Sequence, residues 1–212
     1  IWFGEMHKKK FYFIVFEGVE GTGKSYQIKK LYKNLKDKNI NVVKTREPGG
    51  SATAEKIRNL IFSKNANQFD CLTDFYLMCA SRNEHVKKLL LIAKQKKQVI
   101  ICDRFTDSTY AYQVIGNKID SNINKLNQNY ILKSLKPNMT IILKSSFKSI
   151  FLRINKRKKL NKFDKLKINF YKKAQKTFIS KSKNNNYYVF DSSINNTDLE
   201  KKILKLVIKK LK

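Results

Sequence analysis

The sequence predicts an α/β fold, one mostly parallel sheet with helices on both faces, and three observations predict it. Five short apolar runs alternate along the chain with segments whose apolar residues recur at helical spacing. The runs are apolar almost without interruption, as strands covered on both faces must be. Between the first run and the first helical segment stands GVEGTGKS, a glycine-bearing stretch of the kind that holds phosphates at the carboxyl end of a strand. With 212 residues, the whole chain, 1–212, is expected to form a single domain with a full core.

The elements follow in order. KKFYFIVFEG is the first strand, closed by Gly18, and SYQIKKLYKNLK then sets Ile28, Leu31, Tyr32 and Leu35 on one helical face. NINVVKTREPGG is a second strand ended by a Pro-Gly-Gly break, followed by a helix, SATAEKIRNLIF, with Ser51 or Thr53 as its cap. LTDFYLMCASRNEHVKKLLLIAKQKK reads as one long helix and QVIICDR as a buried third strand. A loop and a helix reaching Lys136 lead to the fourth strand, NMTIILK; NYYVFD is the fifth. The closing helix carries Leu199, Ile203, Leu206 and Val207 on one stripe. RINKRKKLNKFDKLK is the strongest run of positive charge and has no apolar face of its own, which leaves a solvated loop and a mobile lid over phosphates both open. Residues 1–9 read as an N-terminal extension without signal-peptide features, the natural start being Met6 or an upstream residue.

A net charge of +30 invites a nucleic-acid reading, but its composition opposes one. Of 46 basic residues 40 are Lys, spread from end to end beside 21 Asn and 22 Ile, a joint enrichment that looks like AT-rich coding drift at tolerant surface positions. A surface that reads bases would concentrate Arg, whose planar fork is bidentate. Specific nucleic-acid recognition is therefore not expected, only weak attraction at low salt. In such a chain the six arginines, Arg46, Arg58, Arg82, Arg104, Arg153 and Arg157, should stand mainly where Lys cannot do the work. No apolar run approaches the roughly 20 residues of a membrane span. Cys71, Cys79 and Cys102 are odd in number and widely spaced, which suits reduced thiols in the cytoplasm better than disulfides or a zinc site.

Gly18, Gly23, Lys24 and Ser25 satisfy G-x-x-x-x-G-K-[ST] in the context that confirms it, after a strand and before a helix. The backbone from Gly18 through Val19, Gly21 and Thr22 to Ser25 would cradle the phosphates of a nucleotide, Lys24 would hold the β and γ groups, and the Ser25 hydroxyl would bind Mg²⁺. Glu20 inside this loop is unusual, because an acid among phosphates is costly unless it points elsewhere. A sugar hydroxyl is one partner for it, and solvent is the other.

EGVEGTGKS, TREPGG, CDRFTDSTYAYQ and FDKLKINFYKKAQKTF, in this order, resemble thymidylate kinase over nearly the whole chain. The resemblance implies a P-loop NTPase fold with a five-stranded parallel sheet ordered 2-3-1-4-5 and a basic lid at about 153–166. It implies a homodimer that moves the γ-phosphoryl of ATP to dTMP with Mg²⁺. Carried over by motif, Glu20 faces the acceptor sugar and Arg46 the acceptor phosphate. Asp103 steers Mg²⁺ through water, Arg104 clamps the dTMP phosphate, Thr109 and Gln113 line the base, and Arg82 reaches the thymine edge. The alternative for Arg82 is a surface pair with Glu84 or another acid.

The loop itself has no arginine, so the resemblance assigns that charge to the lid, with Arg157 at the principal position, Arg153 upstream and Lys162 downstream as further candidates. Arg58 reads as structural. Two departures from the family touch the expected base pocket: Met78 stands where an aromatic stacks on thymine, and Val114 and Ile115 replace glycines after AYQ. The rival readings are another (deoxy)nucleotide kinase and a nucleotide-binding protein whose catalysis has decayed, against which Lys24, Asp103 and Arg104 argue.

Overall fold

A computed structural model describes residues 10–63, 69–193 and 196–212; the N-terminal extension lies outside them. In chain order the elements are β1 (Tyr12–Glu17), α1 (Lys24–Lys36), β2 (Val42–Arg46), α2 (Ala52–Ile61) and α3 (Cys71–His85). A π-helical turn at Val86–Leu90 joins α3 to α4 (Leu91–Gln95), and β3 (Val99–Asp103) follows. Next come α5 (Thr106–Thr109), a second π-helical turn at Tyr110–Gly116, α6 (Ser121–Leu132) and β4 (Met139–Lys144). α7 (Phe147–Asn155), a 3-10 turn at Lys162–Lys165, α8 (Ile168–Ser180), β5 (Tyr187–Asp191) and α9 (Asn196–Leu211) complete the chain.

The five strands are parallel and ordered β2-β3-β1-β4-β5, as expected. β1 lies at the centre, with Ile14 and Phe16 in one core and Phe13 and Val15 in another, each at most 1% exposed. That double burial is why the strand shows no polar alternation. Against the first core pack Ile28, Leu31 and Leu35 of α1 and Leu199, Ile203 and Val207 of α9, while Tyr32 and Leu206 are only partly covered. On the other face Val86, Leu90 and Ala93 close over β1. Because β1 has β3 on one side and β4 on the other, the winding reverses beside it, and the crevice at the strands' carboxyl ends opens there.

Three expectations change. The long helix is interrupted by the π-helical turn at Val86–Leu90. The helix expected to reach Lys136 is instead divided, because Asp120 caps a new helix at Asn122 and Ile123 and Lys133 leaves it at φ +51°. The basic run is not without an apolar face: Arg153 belongs to α7, and beyond it Phe163 and Leu166 pack against the cluster that holds Tyr112 and Tyr171. Ser51, not Thr53, caps α2, accepting from Ala54 N at 3.3 Å, while Thr53 donates to Glu84. Cys71 is exposed, Cys79 and Cys102 are buried, and all three are free thiols. Among the described residues no helix is long and apolar enough to cross a membrane.

Candidate active site

The loop after β1 is shaped by its glycines. Gly18, at φ +138°, lies so close to the β4 backbone that a Cβ there would strike the Leu143 carbonyl oxygen, and Gly23, at φ +85°, turns the chain into α1. Val19 is buried among Ile142 and Ile150, so it contributes backbone rather than side chain to the crevice. Thr22 Oγ1 donates to Val19 O at 2.8 Å, and Lys24 Nζ donates to Gly18 O at 2.8 Å and Val19 O at 3.0 Å. Burial, and after it the Arg104 charge, bring the Lys24 ammonium down to about 8, although Asp103, Glu20 and Glu17 pull the other way. Ser25 Oγ lies 3.4 Å from Asp103 Oδ2.

Beside the loop is the pocket expected for the acceptor. α3 contributes Met78 and Arg82, the turn after β2 contributes Glu47 and Pro48, and Arg104, Thr109, Tyr112 and Gln113 come from β3's end and the turns after it. Arg82 is no surface arginine. It is 3% exposed, donates from Nε to Glu47 Oε2 at 2.7 Å, and donates from Nη2 to Thr109 Oγ1 at 2.8 Å and Phe105 O at 3.2 Å. Burial works against its charge, but Glu47, with Cys79 and Glu17 behind it, outweighs that and holds the guanidinium above its ordinary range. His85 Nδ1, 2.9 Å from Glu47 Oε1, braces the carboxylate from the other side. Among the described residues only two buried side-chain nitrogens or oxygens lack a hydrogen-bond partner, Arg82 Nη1 and Asp103 Oδ1. Both belong to residues of this crevice, where a ligand would satisfy them.

Glu20 does not turn to solvent. Its carboxylate is buried, accepting from Arg104 Nη2 at 2.7 Å and from the Tyr112 hydroxyl at 2.5 Å. Arg104, at φ +69°, also donates to Ser108 Oγ at 2.9 Å. Ser108 in turn donates to Glu17 Oε2 at 2.6 Å, and Glu17 takes the Phe105 N–H at 2.8 Å, so a buried acid at the end of β1 sets the segment that carries Arg104.

Between loop and pocket runs a cleft lined by Lys24, Ser25, Arg46, Arg58, Asp103, Arg104 and Arg157. Arg46 grips Glu55 with two bonds, at 3.2 and 2.9 Å, and more than half of its side chain is exposed. Arg58 donates to Pro48 O at 2.6 Å and stacks on Phe62, which fits a structural role, yet it also faces this cleft. Arg157 pairs with Asp164 within the basic run that follows α7. Arg153 points at the underside of the loop, donating to Gly21 O at 3.1 Å and Ser192 O at 2.6 Å. Lys162 is not among the cleft residues; it bonds Asp74 of α3 at 2.7 and 2.5 Å. The six arginines therefore all stand at the crevice or brace its loop.

One expectation about this pocket is corrected, and one neighbour of Met78 lies outside it. Phe75, one turn from Met78, is fully buried and does not line the pocket. Neither do Val114, which is buried, and Ile115, which faces outward, so Met78 is the departure that touches the base pocket. Sequence reasoning missed Glu17, Glu47, Tyr112 and Phe163. The signals for two of them were present: an acid closing an apolar strand, and a lone aromatic in KLNKFDKLK, a run otherwise rich in lysine.

A family model described as thymidylate kinase matches residues 16–203. A thymidylate kinase of Mycoplasma capricolum subsp. capricolum is 34% identical over 204 residues, 94% of this chain and 96% of that one. One of Wolbachia pipientis wMel is 39% identical over 170 residues, 78% of this chain and 82% of that one. The crystal structure of thymidylate kinase from Ehrlichia chaffeensis superposes with a TM-score of 0.76 at 28% identity, covering 93% of this chain and 99% of that one. A Gly18–Ser25 loop, a pocket beside it and an arginine-lined cleft between them, together with a match across nearly the whole chain, make this protein a member of the thymidylate kinase family.

Proposed function

We propose that the crevice works as one phosphoryl-transfer site, in which ATP on the Gly18–Ser25 loop meets dTMP seated over Met78 and Arg82. The protein phosphorylates dTMP with ATP, as its family does, and the residue roles that follow are our assignment. The observation that carries them is the unpartnered, buried Arg82 Nη1 in the acceptor pocket. A guanidinium N–H there satisfies itself on the O4 carbonyl of thymine or uracil, whereas cytosine would present an amino group, a second donor.

In the transfer, the bond from the γ phosphorus to its bridging oxygen breaks as a dTMP phosphate oxygen attacks in line, leaving ADP and dTDP. Little covalent work falls to the protein, which positions the two nucleotides and offsets charge. Lys24 and Arg104 act on the phosphates, and Arg46 exchanges Glu55 for the acceptor phosphate. Glu20, oriented by Arg104 and Tyr112, receives the sugar hydroxyl. Arg157 meets the moving group from the lid, and Arg153 acts on ATP through the loop backbone. The Asp103 carboxylate, its Oδ1 orphaned and its Oδ2 beside the Ser25 hydroxyl, makes with that hydroxyl a hard-oxygen donor set that fits Mg²⁺, in part through water. Bound there, the ion would neutralise phosphate charge.

The free thiols support a reducing, cytoplasmic setting. A homodimer suits the apolar side chains exposed on three neighbouring helices, Leu60 of α2, Leu72 and Tyr76 of α3, and Leu126 and Tyr130 of α6. The deciding experiment is an ADP-release assay with dTMP, dUMP, dCMP, dGMP and thymidine as acceptors. Turnover should be greatest with dTMP, lower with dUMP and negligible with the rest. Equal rates with dCMP or dGMP, or turnover of thymidine, would reject the acceptor assignment.

A further inference from the structure

We infer that the lid turn 161–164 couples acceptor binding to the placement of Arg157, with Phe163 as the wall that senses the acceptor base. The inference rests on the dTMP-kinase reading and concerns how that site is regulated by its own substrate. Phe163 lines the acceptor pocket with Met78 and Arg82, and it also borders the phosphate cleft with Lys24 and Arg157. Its ring meets Tyr112 edge-on, 5.4 Å between centroids at 89°, and Phe62 at 5.8 Å. Met78 offers the base a thioether where the family resemblance expects an aromatic ring, so the pocket's aromatic surface comes from Tyr112, Phe105 and this lid residue.

The residues on either side fix where Phe163 can be. Lys162 ties the turn to Asp74, one helical turn before Met78 on α3. Asp164, whose side chain is fully buried, holds Arg157 and closes a capping box with Asn161, accepting its backbone N–H at 3.0 Å. Three consecutive side chains thus run to three places: the acceptor helix, the acceptor pocket and the transfer arginine. Within one tight 3-10 turn none of them shifts alone. A pyrimidine ring seated against Phe163 holds the turn, and through Asp164 it holds Arg157 at the phosphates. Without an acceptor Arg157 is less firmly placed, which disfavours transfer to water.

Steady-state kinetics on Phe163→Ala, Arg157→Ala and the double variant test this, with fold checked by urea unfolding. Phe163→Ala should raise the KM for dTMP up to about tenfold and lower kcat at least about tenfold, with the KM for ATP within about threefold. The kcat of the double variant should match that of Arg157→Ala alone within about twofold, because the ring acts on kcat through the arginine. Phe163→Tyr, which keeps the ring, should recover most of both effects. Multiplying losses in the double variant, or a Phe163→Ala enzyme with unchanged kcat and dTMP KM, would overturn the coupling while leaving the kinase reading intact. Failure of the unmodified protein to phosphorylate dTMP would overturn that reading and the coupling with it.

Discussion

Lys24 is an ammonium group buried against the carbonyls of its own loop, and its lowered affinity for a proton has two measurable signs. Between about 8 and the ordinary lysine range the unfolded chain binds more protons than the folded one, so this group makes stability rise with pH across that window. Phosphates facing Lys24 restore its charge, so ATP binding draws a proton in. Calorimetry in two buffers of different ionisation enthalpy should show uptake of about half a proton at pH 8 and almost none at pH 7. Lys24→Met should abolish the uptake; uptake that persists in this variant would assign the titration to another group. At this scale Lys24, Asp103 and Arg104 were legible because each stands at a fixed offset from a motif. Tyr112 was not, because it reaches Glu20 from 92 residues away, and only the folded chain shows that approach.

The inner strands β1, β3 and β4 were the most legible elements, since burial on both faces writes itself as a nearly unbroken apolar run. The π-helical turns were not, because they depend on what packs against them rather than on a period in the sequence. The turn at Tyr110–Gly116 ends where a Cβ on Gly116 would strike the Phe170 ring of α8, and that ring also lies 5.5 Å from Tyr112. Gly116→Ala should therefore cost about 1–2 kcal/mol in urea unfolding through overpacking, and it should weaken dTMP binding because Tyr112 orients Glu20. Adding Phe170→Leu should return most of the stability. If Gly116→Ala unfolds like the parent, the helix α8 gives way more readily than its packing implies.

Across the whole molecule, two copies that each carry +30 repel one another, whatever apolar surface they share. Salt screens that repulsion over about 8–10 Å at 0.1–0.15 M. Sedimentation should thus show the 24.9 kDa chain pairing more tightly as salt is raised, while Tyr76→Lys and Leu126→Lys weaken the pair at every salt concentration. A chain that stays monomeric throughout, or pairs best at low salt, would exclude this face as the interface. The composition also foretold where charge is put to use: the arginines gather at the crevice, and the outer surface is left to lysine, which lacks the planar fork that reads bases.

That division makes the protein separable by reagent. Acylation of exposed amines would remove much of the net charge and leave the crevice working, since the amines it relies on are shielded: Lys24 is 7% exposed beneath its loop, and the side chain of Lys162, held by Asp74, is 15% exposed. An α-dicarbonyl, which modifies guanidinium groups, would do the reverse: it would barely alter the outer surface and silence the enzyme, entering first at Arg46, whose side chain is 53% exposed.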